Sequence, residues 1–245
     1  ANRKGIGDLL AEGVMRAARK IGKGAERYAM HVKGQELPMH EPRGKNSLAL
    51  AYSVSPTGAD HMEAPHDPDF AQRGPAMESV YPLGIIDTVP SIDLSDRKVR
   101  LFVYLQQVWS LYNSLGLCDF VAAPPWVMTF SKIVELMDAV TGWDTSLWEL
   151  MKVGERANTL SRAFNIREGF GRKDDTLRER MFEPLESGAL KGVAIKKEEF
   201  EKALTAYYRM VGWDPETGIP TKEKLEELDI GWAWDLVKGA TRGEG

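Results

Sequence analysis

The chain has 245 residues, 43% hydrophobic and 28% charged, with 32 basic against 36 acidic side chains and a net charge of −4. That is ordinary globular composition, without the strongly basic face that nucleic-acid binding requires and without an apolar run near the roughly 18–20 residues that span a bilayer. A single cysteine, Cys118, excludes an intrachain disulfide framework, and with no opening signal peptide the compartment expected is reducing and cytoplasmic. The chain opens at Ala1 and runs almost at once into a helical pattern. We therefore expect a domain unit of a longer protein.

In chain order, the first predicted helix runs from about Asp8 to Lys20, with Leu9, Leu10, Val14 and Ala17 on one face and Gly22 and Gly24 as its stop. From Ala25 to about Ser95 the chain is rich in Pro, Gly and His, and only Ser47 to Val54 is apolar enough for a short helix. A loop this long is uncommon in a compact domain unless it carries function. The next helix sets Leu101, Leu105, Val108, Tyr112 and Leu115 on one face, with Phe102 and Trp109 as a second stripe, and ends at Gly116. Pro124 and Pro125 are expected to open another, with Val127, Phe130, Ile133, Val134, Met137 and Val140 inward. Ser146 and Glu149 have capping-box spacing ahead of a helix carrying Leu147, Leu150, Val153, Ala157, Leu160 and Phe164, which Gly169 and Gly171 close. Phe200, Leu204, Tyr207, Tyr208 and Val211 mark a further helix, and Leu225 and Leu228 a shorter one after Pro220. No segment alternates well enough to predict a strand, so the expected fold is all-α. Two subdomains, 1–95 and 96–245, are a natural division of it.

The residues best equipped for chemistry lie in Asp60-His61-Met62-Glu63-Ala64-Pro65-His66-Asp67-Pro68-Asp69, two imidazoles and four carboxylates within ten residues. Such a set can bind a divalent metal, exchange protons near neutral pH, or form a polar surface loop. Arg43, followed by Gly44, can grip an anion with its two-pronged guanidinium or lie in a solvated turn. Cys118 is either a small buried hydrophobe or one ligand of a cluster whose other thiolates come from elsewhere. Gly5-Ile6-Gly7 follows no strand and lacks the third glycine of a dinucleotide-binding fingerprint.

An ordered series of short segments carries a resemblance. It begins with Gly7-Asp8-Leu9-Leu10-Ala11-Glu12-Gly13, His31-Val32-Lys33-Gly34-Gln35-Glu36-Leu37-Pro38, Glu41-Pro42-Arg43-Gly44 and Ser55-Pro56-Thr57-Gly58-Ala59-Asp60-His61. It continues through Gly116-Leu117-Cys118, Phe164-Asn165-Ile166-Arg167-Glu168-Gly169 and Asp174-Asp175-Thr176-Leu177 to Gly212-Trp213-Asp214 and Gly218-Ile219-Pro220-Thr221. The series resembles the C-terminal helical region of the aldehyde ferredoxin oxidoreductase family and covers essentially the whole chain. The resemblance implies an oxidoreductase whose complete form holds tungsten or molybdenum on two pterins beside one 4Fe-4S cluster, oxidises aldehydes to carboxylic acids and passes electrons to ferredoxin. Relatives carry out other low-potential chemistry, including reduction of an aromatic coenzyme A thioester. It places the β-rich pterin base outside this chain, so neither pterin nor cluster is expected on this chain alone. A homodimer is compatible with it; nucleic acid and membrane are not expected partners.

By the same resemblance Cys118 is the fourth cluster ligand, closing an Asp-x-x-Gly-Leu-Cys motif that also touches a pterin, here through Asn113, Gly116 and Leu117. Asn113 stands in place of the family's Asp; an amide keeps an acceptor but loses the charge. Arg43 is the further cofactor-binding candidate. His61 matches the histidine placed near the metal, with His66 as its rival, and Thr57 stands where the family's usual motif has Arg. The competing view of the residues is a helical scaffold or interaction domain with a metal-binding loop at His61 and His66.

Overall fold

The computed structural model describes residues 2–63, 65–122 and 127–240. It is mostly helical. The α-helices are α1 (Ile6–Leu10), α2 (Gly13–Ile21), α3 (Asn46–Val54), α4 (Pro75–Ser79), α5 (Asp96–Leu115), α6 (Asp119–Ala122), α7 (Phe130–Thr141), α8 (Leu147–Arg167), α9 (Lys197–Val211), α10 (Lys222–Glu227) and α11 (Trp234–Val237). Short 3-10 turns link them. The one sheet among the described residues is a two-stranded antiparallel ladder, β1 (His31–Val32) with β2 (Gln35–Glu36). At two residues per strand, alternation is too short to be detected in sequence.

The long helices follow the predicted apolar stripes. On α5, both stripes are buried from Leu101 to Tyr112, and its middle packs on α8. That approach fixes Gly154: a Cβ there would lie 2.0 Å from the Gln107 carbonyl oxygen. The predicted capping box is present, Ser146 Oγ accepting from Glu149 N–H while the Glu149 carboxylate accepts from Ser146 N–H. α9 buries all five of its predicted inward residues, and Leu225 and Leu228 are buried as expected.

Three elements differ from expectation. The first predicted helix is two, because the chain turns at Ala11–Glu12 and Gly13 takes a φ of 79°; Leu10 is exposed and the buried residues are Ala17 and Ala18. The proposed opening at Pro124–Pro125 lies outside the described residues. α7 starts at Phe130, capped by Thr129 accepting from Lys132 N–H, and Val127 and Val140 face solvent. On α8 the deeply buried set is Met151, Glu155, Thr159, Arg162, Ala163, Asn165 and Ile166 together with Leu150, whereas Phe164 is exposed. Charge partners inside the fold override the apolar stripe there. Arg162 and Lys33 both pair with Asp175, at 2.7 and 2.8 Å, and all three side chains are almost completely buried. Buried charges persist only when paired, and this triad fastens the β1–β2 turn and the Asp174–Leu177 segment onto α8.

α3 is the centre of the region expected to be loop, with every residue from Asn46 to Val54 buried. Ser53 Oγ donates to Ala49 O, and the Ser47 backbone N–H donates to both Asp67 carboxylate oxygens at 3.1 and 3.2 Å. Asp67 also accepts from the Ser47 hydroxyl and pairs with Lys98 of α5, both charged side chains being wholly buried. Asp67→Ala strands the Lys98 ammonium, and removing one partner of a buried pair costs about 3–5 kcal/mol. Denaturant unfolding of Asp67→Ala should show that loss, and Asp67→Leu combined with Lys98→Met should recover most of it; an Asp67→Ala midpoint equal to the parent's overturns this account.

Candidate active site

The segment holding His61 is anchored at both ends. At the near end, Asn165 Nδ2 of α8 donates to Pro56 O at 2.9 Å. Gly58, with φ of 97°, lies so close to the β1–β2 hairpin that a Cβ would sit 2.3 Å from Val32 O, so only glycine fits. At the far end Asp67 is bound to α3 and α5 as described. Between the anchors His61–Glu63 forms a 3-10 turn packed against α3 and α5.

His61 shares its surroundings with two other imidazoles. His40 lies between them, its ring centroid 4.7 Å from that of His61 and 4.4 Å from that of His66, while His61 and His66 are 6.1 Å apart. Lys45 Nζ is 2.9 Å from His66 Nδ1 and 3.4 Å from His40 Nδ1. Tyr52 of α3 donates its hydroxyl hydrogen to His40 O at 3.0 Å. Burial, then the Lys45 charge and the neighbouring imidazoles, lower the His66 pKa to about 4; burial and Lys45 also lower that of His40.

The C-terminus of α5 supplies the other side. Gly116 adopts a φ of 69°, its N–H bonds Asn113 O at 3.2 Å, and Leu117 N–H bonds Tyr112 O at 2.9 Å. This is the Schellman ending, which needs a residue free to adopt the left-handed conformation at the position of Gly116 and favours an apolar contact from the next. Leu117 makes that contact against the α5 core, and the chain leaves the helix with Cys118 exposed. The alternative of Cys118 as a small buried hydrophobe is therefore corrected: the turn projects it outward. Asn113 and Gly116 are exposed as well.

Asp119, next in the chain, is close enough to the His61 turn for the charges to interact. Burial first, then Asp60 and Asp119, push the Glu63 carboxyl up to about 7; burial and Asp60 likewise raise Asp119. Among the described residues, Asp119 Oδ1 and the hydroxyl of fully buried Tyr112 have no hydrogen-bond partner, an exception to the rule that buried polar groups are paired. Because the folded state holds the Glu63 proton more tightly than the unfolded chain does, its contribution to stability is complete below about pH 4.5 and fades as pH rises through about 7. Glu63→Gln should flatten that part of the stability–pH curve, read by thermal melts across the range; an unchanged slope overturns the assignment.

Arg43 is differently placed from the anion grip expected of it. It is 4% exposed; its guanidinium donates to Arg180 O and, at 3.1 Å, to Glu41, leaving Nε without a partner. The fold thus groups His61 and His66 with His40, sets Asp60 and Glu63 within electrostatic reach of Asp119, and keeps Arg43 inside. Sequence reasoning missed His40, Lys45, Tyr112 and Asp119 as site residues. A histidine between Pro38 and Pro42 was the available signal for the first. Among the described residues no group of three or more His, Cys, Asp or Glu side chains has a metal-holding arrangement. Among those residues no helix is long and apolar enough to cross a membrane.

Comparison with known proteins shows the family. The family model described as aldehyde ferredoxin oxidoreductase, domains 2 and 3, matches residues 1–230. The tungsten-containing aldehyde ferredoxin oxidoreductase of Pyrococcus horikoshii is 34% identical over 232 residues, covering 94% of this chain and 35% of its own length. The WOR-like subunit of aliphatic sulfonate oxidoreductase from Pyrococcus furiosus is 33% identical over 249 residues, covering 96% of this chain and 34% of its own. The active-site complex BamBC of benzoyl coenzyme A reductase, solved with 1,5-dienoyl-CoA, superposes with a TM-score of 0.72 at 25% identity, over 100% of this chain and 39% of that one. These helices correspond to domains 2 and 3 of that family model. The chain belongs to the aldehyde ferredoxin oxidoreductase family, and it spans about a third of the length of the curated relatives it matches.

Proposed function

We propose that the complete protein is a tungsten- or molybdenum-pterin, iron–sulfur oxidoreductase that converts an aldehyde to a carboxylic acid and delivers electrons to ferredoxin, with this chain supplying one wall of the active site. The observation that supports it is the meeting of two segments some fifty residues apart, the His61 turn and the Gly116–Asp119 turn, with unpartnered Tyr112 and Asp119 atoms beside them. In this proposal Cys118 binds the cluster, and Asn113, Gly116 and Leu117 lie against a pterin. The residues fit those groups: the thiol is exposed, and nothing on the backbone side of Gly116 approaches within 4 Å of where a Cβ would be. Arg43, with one free Nε–H, braces the segment leading to His40 and keeps at most a single donor for a cofactor anion.

The bound metal–pterin and cluster supply the electron chemistry. The chain's own residues handle the protons. Aldehyde plus water yields the acid with a pair of electrons and a pair of protons, so a titratable group beside the substrate is required. His61 takes that role, with Asp60 and Glu63 near it. Thr57 stands where the family's usual motif has Arg, and two of the relatives act on a sulfonate and on an aromatic thioester according to their names. Metal analysis and electron paramagnetic resonance of the complete protein, with aldehyde-dependent reduction of ferredoxin, test the proposal. Tungsten or molybdenum with about four irons per chain and aldehyde-driven reduction are the expected results. Absence of both metals overturns it; both metals without turnover of any aldehyde overturns the substrate assignment.

A further inference from the structure

Two histidines were candidates for the proton-carrying group, and the residue that distinguishes them lies in neither of their segments. An ammonium has three donors and no acceptor. Lys45 Nζ, 2.9 Å from His66 Nδ1, can therefore bond that nitrogen only as a donor, so Nδ1 carries no proton. The same ammonium is 3.4 Å from His40 Nδ1 and meets it in the same sense. Both rings are thereby fixed as neutral imidazoles protonated on Nε2. No bond from Lys45 to His61 accompanies these, and His61 packs on His40 by its ring.

We propose that Lys45 is a positioning residue that fixes His40 and His66 as neutral Nε2–H tautomers, leaving His61 as the imidazole of the cluster that takes up and releases the proton. This inference rests on the reading of the site as one in which an imidazole moves a proton. It makes His40 and His66 neutral imidazoles, each with its donor at Nε2, in one cluster of rings with His61. The charged and titratable groups facing His66 and His40 are Lys45, His61 and each other, with Asp69 also within the influence of Lys45. The low pKa values of both rings, to which Lys45 contributes after burial, agree with the geometry.

The test uses the complete enzyme in four variants: Lys45→Met, Lys45→Arg, His66→Asn, and Lys45→Met with His66→Asn. The parent should show one imidazole-type ionisation in the pH profile of kcat. Lys45→Met removes the charge that opposes protonation of His66 and leaves the opposition of burial, so an added ionisation should appear on the acid side of the profile, with the ratio of turnover at pH 5.5 to that at pH 8 falling below the parent's. Lys45→Arg should keep the single ionisation, and the double variant should lose the part of the added ionisation that His66 contributes while retaining that of His40. His66→Asn alone should cost less than about tenfold. A Lys45→Met profile identical to the parent's, while His61→Ala still abolishes turnover, overturns the role of Lys45 and leaves the proton-transfer reading standing. A silent His61→Ala overturns the reading itself and this inference with it. Should Lys45→Met not fold, 15N chemical shifts of the histidine-labelled parent decide: a bare Nδ1 on His66 supports the proposal, and a protonated Nδ1 overturns it.

Discussion

Replacing Cys118 with alanine in the complete protein is expected to strip or destabilise the iron–sulfur cluster. The reason is local geometry. Gly116 reverses the chain at the end of α5, Leu117 is drawn inward by the apolar contact, and the thiol of the next residue is exposed. A 4Fe-4S cluster takes about four thiolates, so loss of one leaves an iron short of a ligand. Iron content and the low-temperature resonance of the reduced protein measure the outcome directly. Cys118→Ser, which retains a weaker ligand, should keep more cluster than Cys118→Ala. A four-iron signal of parental strength in Cys118→Ala overturns the assignment and makes the cysteine an exposed bystander. Because Leu117 rather than Cys118 provides the packing, the alanine variant should unfold at the parental denaturant concentration once compared in the same cluster-free state, separating ligand loss from misfolding.

The second large effect concerns His61. General acid–base help from a placed side chain is worth roughly a hundred- to ten-thousandfold in rate, and imidazole is the side chain whose ordinary pKa lies nearest neutrality. His61→Ala should lower turnover at least a hundredfold, by those magnitudes, while metal, pterin and iron contents stay at parental levels. The His61 turn is held by Gly58, Asn165 and Asp67 rather than by the imidazole itself, so the variant retains the frame of the site. Near-parental turnover in His61→Ala with loss of activity in His66→Ala identifies the wrong ring; parental turnover in both makes the cluster structural.

Much of this molecule was legible in the sequence, and the reason is local. Helix α5 announces itself because its buried residues recur at the helical repeat on two adjacent stripes; α9 and α10 do so on one. Gly116 marks a helix end because the left-handed conformation is cheapest for glycine, and Ser146 with Glu149 forms a cap from groups three residues apart. The family resemblance likewise rests on short contiguous strings, and the concentration of His61, Glu63, His66 and Asp67 around Pro65 singles out this segment as a candidate for chemistry. What the tertiary structure decided are the relations between segments distant in sequence. That α8 buries Arg162, Asn165 and Glu155 while Phe164 faces out follows from partners at Asp175, Pro56 O and Lys224 respectively, which no periodicity contains. α3 was legible as the one apolar stretch of a segment rich in Pro and Gly, but its burial on all sides is tertiary, with Asp67, itself paired to Lys98, accepting from its first turn at Ser47. The site was assembled in the same way. His40 and Lys45 reach the His61 turn because β1–β2 and α3 fold that segment back on it, and Asp119 meets Asp60 and Glu63 because α5 ends beside them. Arg43 looked like an anion grip because a guanidinium next to glycine suits one, yet the fold places Arg180 O and Glu41 within its reach, and a buried donor bonds to what lies beside it.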